Sequence, residues 1–200
     1  MHIIIPAKPL RQSKSRLAPV LSVEQRTQLS RALLRRTIKL ARQVAPVVVV
    51  SADSAARQLA KKAGAWALVE LEAGLNQAVR QGAAWAQARG AESVLILPSD
   101  LPFLTLADLA QLAALGQPPP AVVIAPCRRE SGTNALLLSP PGVIAPAFGP
   151  NSFRAHLQAA RQAGIVPAVY RSASVGFDLD LPADLAELEP QPELELFGCD

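Results

Sequence analysis

Residues 94–102 read Val94-Leu-Ile-Leu97-Pro-Ser-Asp100-Leu-Pro102, and this stretch decides the class of fold. Apolar residues at every position from Val94 to Leu97 leave no polar face, so a strand here is covered on both sides. Ile3–Ile5, Val47–Val50, Val122–Ala125 and Ala135–Leu138 repeat the pattern. Helical patterns with readable ends lie between most of these runs. Ser22-Val-Glu-Gln25 can form a capping box, and Leu29, Leu33, Leu40 and Val44 continue from it as an apolar stripe. Asp53 can cap a helix ending at Gly64, a further helix runs from about Leu75 to Gly90, and Thr105 opens another that ends near Gly116. Strand and helix in alternation predict an α/β fold, with a mainly parallel sheet covered by helices on both faces. After residue 120 two strands follow each other through the Cys127–Gly132 loop. That junction requires at least one antiparallel strand, which makes the sheet mixed.

A chain of 200 residues fits one domain. The domain is expected over residues 1–190, with 191–200 as a poorly anchored tail. No apolar run approaches the ~18 residues of a membrane span. The start, MHIIIPAKPL, lacks the pattern of a signal peptide. Cys127 and Cys199 are too few and too far apart for a disulfide framework, which favours a cytoplasmic protein with reduced thiols.

Charge is unevenly spread. Ten of the twenty Lys and Arg precede residue 46, whereas eight of the sixteen acids fall from Asp178 onward. The basic stretch has no interleaved aromatics on which bases could stack, which argues against nucleic acid as a partner. Arg31, Arg35, Lys39 and Arg42 lie opposite the apolar stripe of their helix and read as a solvated face.

Ligands of open α/β sheets bind beyond the carboxyl ends of the strands, so the chemistry is sought just after each apolar run. The first run is followed by a loop carrying Lys8, Arg11, Lys14 and Arg16, a cluster suited to a polyphosphate unless the loop is simply solvated. Asp100 follows Val94–Leu97 between two prolines, placed either to bind a hard cation or to cap the next turn. In Gly176-Phe-Asp178-Leu-Asp180-Leu-Pro182 the two carboxylates share a side if the segment is extended. A shared metal would relieve their repulsion, although Asp180 could instead cap the helix that Pro182 begins. Gly132-Thr-Asn134 leads into a strand, and Phe148-Gly-Pro-Asn-Ser152 leads into a helix. Backbone amides at that helix start, with Gly149 for close approach and hydroxyls from Ser152 and Thr133, make an anion site. An ordinary cap at Asn151 or Ser152 would use the same residues. His156 lies one turn beyond Ser152 and reads as structural.

Together these segments resemble the CofC/FbiD family, which makes the guanylylated precursor of the deazaflavin coenzyme F-420. The resemblance runs from Ile3 to about Leu188. It is carried by Pro6-Ala-Lys-Pro-Leu10, Lys14-Ser-Arg-Leu17, Leu75-Asn-Gln-Ala78, Pro98-Ser-Asp-Leu-Pro102, Gly132-Thr-Asn134, Phe148-Gly-x-x-Ser-Phe153 and Phe177-Asp-Leu-Asp180. It implies a Rossmann-like nucleotidyltransferase fold. Molybdenum-cofactor guanylyltransferases of the wider group open with a glycine-rich loop after the first strand; here that place is taken by Pro-Ala-Lys-Pro. By the same resemblance, Lys8, Lys14 and Arg16 would hold the triphosphate of GTP and Asn76 would position the guanosine. Asp100, Asp178 and Asp180 would bind Mg2+. Thr133, Gly149 and Ser152 would hold a phosphorylated three-carbon acid. Asp100 and Lys14 are the residues expected to carry catalysis.

The expected reaction is transfer of GMP from GTP to phosphoenolpyruvate, with 2-phospho-L-lactate and 3-phosphoglycerate as alternative acceptors. The product would pass to the F-420 ligase. A molybdopterin-type transferase or a non-catalytic nucleotide-binding module are the competing readings. A homodimer is compatible with the sequence, and neither nucleic acid nor a membrane is expected as a partner.

Overall fold

The computed structural model describes residues 1–188, so the expected tail at 191–200 lies outside the described residues. The elements in chain order are β1 (His2–Pro6), α1 (Val23–Ala41), β2 (Val47–Ser51), α2 (Ser54–Lys62), β3 (Trp66–Val69), α3 (Leu75–Gln87) and β4 (Val94–Ile96). They are followed by α4 (Leu106–Leu115), β5 (Ala121–Pro126), β6 (Thr133–Ser139), α5 (Ser152–Gln162), β7 (Ala168–Val169), α6 (Ala173–Gly176) and α7 (Pro182–Ala186). The strands form a seven-stranded sheet in the order β3-β2-β1-β4-β6-β5-β7. β1 is parallel to both β2 and β4, while β6 runs antiparallel between β4 and β5. The antiparallel strand required by the short Cys127–Gly132 connection is therefore β6.

Every position of β2 and β4 is buried, because the sheet is covered on both faces. Ile3, Ile5, Val47, Val49 and Leu95 pack with Leu34 and Ile38 of α1, Ala56 of α2, and Leu109 and Leu112 of α4. The alternate residues Ile4, Val48, Val50, Val94 and Ile96 face Val79 of α3 and Phe153 of α5. Burying each such aliphatic side chain contributes about 1.5–3 kcal/mol, so uninterrupted apolar strands are the economical sequence for this layer. On α3, Gly82 lets the helix approach the sheet: a Cβ built there would lie 2.6 Å from Cγ2 of Ile4.

The local signals at helix ends are realised. Ser22 and Gln25 form a capping box on α1, Thr105 and Asp108 form one on α4, and the Asp53 carboxylate accepts from the Ala55 N–H of α2. Arg31, Arg35, Lys39 and Arg42 are exposed. Leu29 and Leu33 are buried, whereas Leu40 and Val44 are only partly so, with Val44 lying beyond the helix end at Ala41. Two strands carry no readable sequence signal. β3 is an edge strand with Trp66 and Val69 51% and 56% exposed, so it lacks the continuous apolar run, and β7 has only two residues.

The chain leaves β1 on one side toward β2 and β3, and on the other toward β4. The loops after β1 and β4 thus flank a reversal of strand order, the position at which open α/β sheets bind their ligands.

Candidate active site

The loop after β1 is a fixed structure. Leu10 and Leu17 are buried, and the Leu10 N–H donates to Asp53 Oδ2 at 2.9 Å. Between two short 3-10 turns, at Leu10–Gln12 and Ser15–Leu17, Lys14 takes a left-handed backbone conformation with φ 55°. Its side chain is only 8% exposed. The ammonium donates to Asp100 Oδ2 at 3.2 Å, to the Leu179 carbonyl at 2.6 Å and to Asp180 Oδ1 at 3.3 Å. Arg16 reaches the other Asp180 oxygen at 3.2 Å. Lys14 and Arg16 therefore converge on the expected carboxylates. Lys8 is exposed on the same loop, and Arg11 turns away toward Glu24 at 3.9 Å.

Asp100 and the segment 178–180 are held side by side, since the Leu179 N–H donates to the Asp100 carbonyl at 3.0 Å. The Asp100 carboxylate meets Lys14, and Asp180 does not cap the last helix. That capping is done by Asp184, whose carboxylate accepts from the N–H groups of Asp180 and Leu181 at 2.8 and 2.6 Å and also binds Arg128. Burial pushes the Asp178 carboxyl above the ordinary carboxylate range, and the charges of Asp100 and Asp180 add to that shift; an Asn134 hydrogen bond opposes it. Among the described residues, no three His, Cys, Asp or Glu side chains are drawn close enough together to hold a metal ion. The ammonium of Lys14 lies between Asp100 and Asp180.

The residues expected to hold the acceptor lie at the starts of β6 and α5, with Asn76 on α3. Thr133 begins β6 and Ser152 begins α5; both are buried. Gly149 has φ 143°, a conformation open to glycine and strained for other residues, in the loop that leads to Ser152. Asn151 occupies the helix cap without a side-chain cap bond. Asn76, on the first turn of α3, has both amide atoms on the backbone of Phe148: its nitrogen donates to the carbonyl at 2.9 Å and its oxygen accepts from the N–H at 2.8 Å. Asn76 thus ties α3 to the Phe148–Ser152 loop.

Two residues acquire a role that local sequence does not reveal. Asn134 is buried and donates to the Val175 carbonyl at 2.8 Å, tying β6 to the α6 turn that precedes the acidic segment. His156 is fully buried; its Nδ1 lies 2.9 Å from Thr133 Oγ1, and its Nε2 accepts from the Ala147 N–H at 2.9 Å. Burial lowers its pKa to about 4. The readable signals were the position of Asn134 beside Thr133 and the helical spacing of Ser152 and His156. Neither names the partner.

Comparison with known proteins supports one assignment. Residues 1–190 match the family model described as guanylyl transferase CofC like. The chain is 44% identical over 188 residues to a phosphoenolpyruvate guanylyltransferase of Rubrobacter xylanophilus, covering 93% of this chain and 92% of that one. It is 34% identical to a 3-phospho-D-glycerate guanylyltransferase of Colwellia psychrerythraea, covering 92% and 89%. Solved structures agree in fold alone. A crystal structure from Desulfovibrio desulfuricans G20 superposes with TM-score 0.76 at 18% identity, covering 94% of this chain and 85% of that one. A 4-diphosphocytidyl-2C-methyl-D-erythritol synthase superposes with TM-score 0.65 at 16% identity, covering 94% and 96%. Matched by the family model over residues 1–190 and 44% identical to a curated relative across most of both chains, this chain belongs to the CofC-like guanylyl transferase family.

Proposed function

We propose that this guanylyltransferase transfers GMP from GTP to phosphoenolpyruvate, working with Mg2+, and that its product enters coenzyme F-420 biosynthesis. The observation that carries the reading is the convergence of Lys14 and Arg16 on Asp100 and Asp180 at the strand-order reversal. The name of the Rubrobacter xylanophilus relative supports the acceptor.

A phosphate oxygen of the acceptor attacks the α-phosphorus of GTP, the bond to the β-phosphate oxygen breaks, and pyrophosphate leaves in line. Lys14, Arg16 and the exposed Lys8 lie on the loop expected to meet the triphosphate and stabilise the charge growing on pyrophosphate. Thr133, Ser152 and the backbone at Gly149 hold the acceptor. A phosphate monoester is largely ionised near neutral pH, with a second pKa around 6, so the chain needs no general base.

Two neighbouring carboxylates support the magnesium reading. Mg2+ is commonly held by one or two carboxylates together with substrate phosphates. Asp100 and Asp180 already share one cation, and Asp178 lies close enough to feel both charges. Asp100 and Asp180, with Asp178 nearby, would hold the ion together with substrate phosphates; when bound it supplies Lewis acidity and charge neutralisation between two polyanions.

The test is mass spectrometry of products after incubation with GTP, Mg2+ and each acid separately: phosphoenolpyruvate, 2-phospho-L-lactate and 3-phosphoglycerate. The F-420 ligase and its deazaflavin acceptor trap a short-lived product. Trapped product from phosphoenolpyruvate is expected. Product from another acid alone would move the acceptor, and no pyrophosphate from any acid would overturn the reading.

A further inference from the structure

The hydrogen bonds of His156 fix which of its nitrogens carries the proton. A backbone N–H can only donate, so Nε2, which receives the Ala147 N–H at 2.9 Å, carries no hydrogen. The neutral ring must then hold its proton on Nδ1, which faces Thr133 Oγ1 at 2.9 Å. The Thr133 hydroxyl therefore accepts from His156, and its own proton is turned elsewhere. A protonated ring would lose the bond to Ala147, and burial of the side chain opposes that charge.

One ring thus touches both halves of the acceptor site. It sets the hydroxyl at the start of β6, and it pins Ala147 at the head of the loop that carries Gly149 and Ser152. Phe148 stacks edge-on against the same ring at 5.0 Å, which helps to hold its plane. The orientation imposed on Thr133 has a chemical consequence. A hydroxyl obliged to donate pairs well with an anionic oxygen and poorly with another donor.

We propose that His156 is a positioning residue which holds the Thr133 hydroxyl as a hydrogen-bond donor to an anionic oxygen of the phosphorylated acceptor. The proposal rests on the reading of Thr133 as an acceptor contact given above. His156 touches neither substrate; it acts through Thr133.

The experiment uses Thr133→Val, His156→Gln, His156→Asn and the double variant T133V/H156Q, with folding verified by thermal melts. A glutamine amide reaches the place of Nε2 and keeps Ala147, whereas an asparagine amide reaches the place of Nδ1 and keeps Thr133. A hydrogen bond to a charged group corresponds to roughly a ten- to hundredfold effect. T133V is expected to raise the KM for phosphoenolpyruvate by about tenfold or more, with the KM for GTP unchanged. H156Q should match it, the double variant should be no worse than T133V alone, and H156N, which keeps Thr133 but loses the Ala147 contact, should raise the acceptor KM less than H156Q does. Nitrogen NMR of the free protein should show a protonated Nδ1 and a bare Nε2 at neutral pH. A proton on Nε2, multiplying losses in the double variant, or a normal acceptor KM in H156Q would each overturn the relay. If the histidine variants fail to fold, the ring tautomer and T133V decide it. A normal acceptor KM in T133V would remove Thr133 from the site, and the relay with it. A protein that makes no product from any acid, yet shows the Nδ1 proton, would overturn the functional reading and leave His156 as a structural clamp.

Discussion

The ammonium of Lys14 lies 3.2 Å from the carboxylate of Asp100, joining loops 86 residues apart in sequence that leave neighbouring parallel strands. With Asp180 on its other side, Lys14 offsets two carboxylates that would otherwise repel. Exposed ion pairs contribute about 0–1 kcal/mol. Lys14 is far more enclosed, so its loss would leave two partly buried carboxylates uncompensated and disturb the site as well as stability.

Lys14→Met is therefore expected to lower kcat by about 10²–10³, the usual effect of removing one electrostatic stabiliser from a site. Pyrophosphate release under saturating substrates measures it, with circular dichroism as the folding control. Unchanged kcat with a lowered melting temperature would make the ion pair architectural only.

Asn76→Ala deletes two hydrogen bonds to the Phe148 backbone. Leaving those groups unpartnered should cost about 1–3 kcal/mol of stability. Because the loop carries Gly149 and Ser152, the KM for the acid should rise more than the KM for GTP. A rise confined to GTP would place the Asn76 side chain on the guanosine instead.

His156 governs stability at mildly acid pH. Its pKa falls from 6.5 to about 4 on burial, so the unfolded chain binds the proton more readily than the folded one. Stability is full above pH 6.5, is lost as pH falls from there toward 4, and levels off below. The loss should approach roughly 3 kcal/mol at 1.36 kcal/mol per pKa unit. Urea denaturation from pH 7.5 to 4 measures it, and H156N should flatten the slope in that window.

Asp108 acts in a lower window. It is 3% exposed and accepts hydrogen bonds from Thr105, Tyr170, Ser172 and Ser174, fastening the start of α6 and the chain before it to the start of α4. Burial pushes its pKa up, but the hydrogen bonds together prevail and bring it below 3.8. Its stabilisation is therefore present above that value and lost as pH falls through the folded pKa. Asp108→Asn should destabilise the protein by about 1–3 kcal/mol at neutral pH and weaken the acid limb below pH 4, read from the same denaturation series.

Gly82→Ala sets helix propensity against packing. Alanine favours a helix by about 1 kcal/mol. The added Cβ meets Cγ2 of fully buried Ile4 at 2.6 Å and Cγ2 of Val50 at 3.3 Å, so α3 must shift away from the sheet. Overpacking of this kind costs about 1–3 kcal/mol, and a net loss in melting temperature is expected. A gain would mean that α3 shifts without cost.

Features that depend on a residue and its near neighbours can be read from the chain alone. Continuous apolar runs at Ile3–Ile5 and Val94–Ile96 required a sheet covered on both faces, since each side chain has to leave water whichever way it points. The capping boxes at Ser22 and Thr105 close within three residues, so they too were legible. The spacing of Lys14, Asp100 and Asp180 along the chain marked them as candidates after strand ends or on an extended segment.

Which of those candidates meet depends on how the folded sheet orders its strands. Lys14 finds Asp180 across 166 residues, and Arg11 from the same loop does not. Asn76 spends its amide on the Phe148 backbone, and Asp184 rather than Asp180 completes the last helix. β3 carries no such pattern because an edge strand leaves Trp66 and Val69 half in solvent, which removes the pressure for an apolar run. Hydrophobic burial is non-directional and writes a repeating pattern into sequence. A hydrogen bond or an ion pair is decided by distance and angle between two particular groups, and those are set only when the sheet order brings remote loops together.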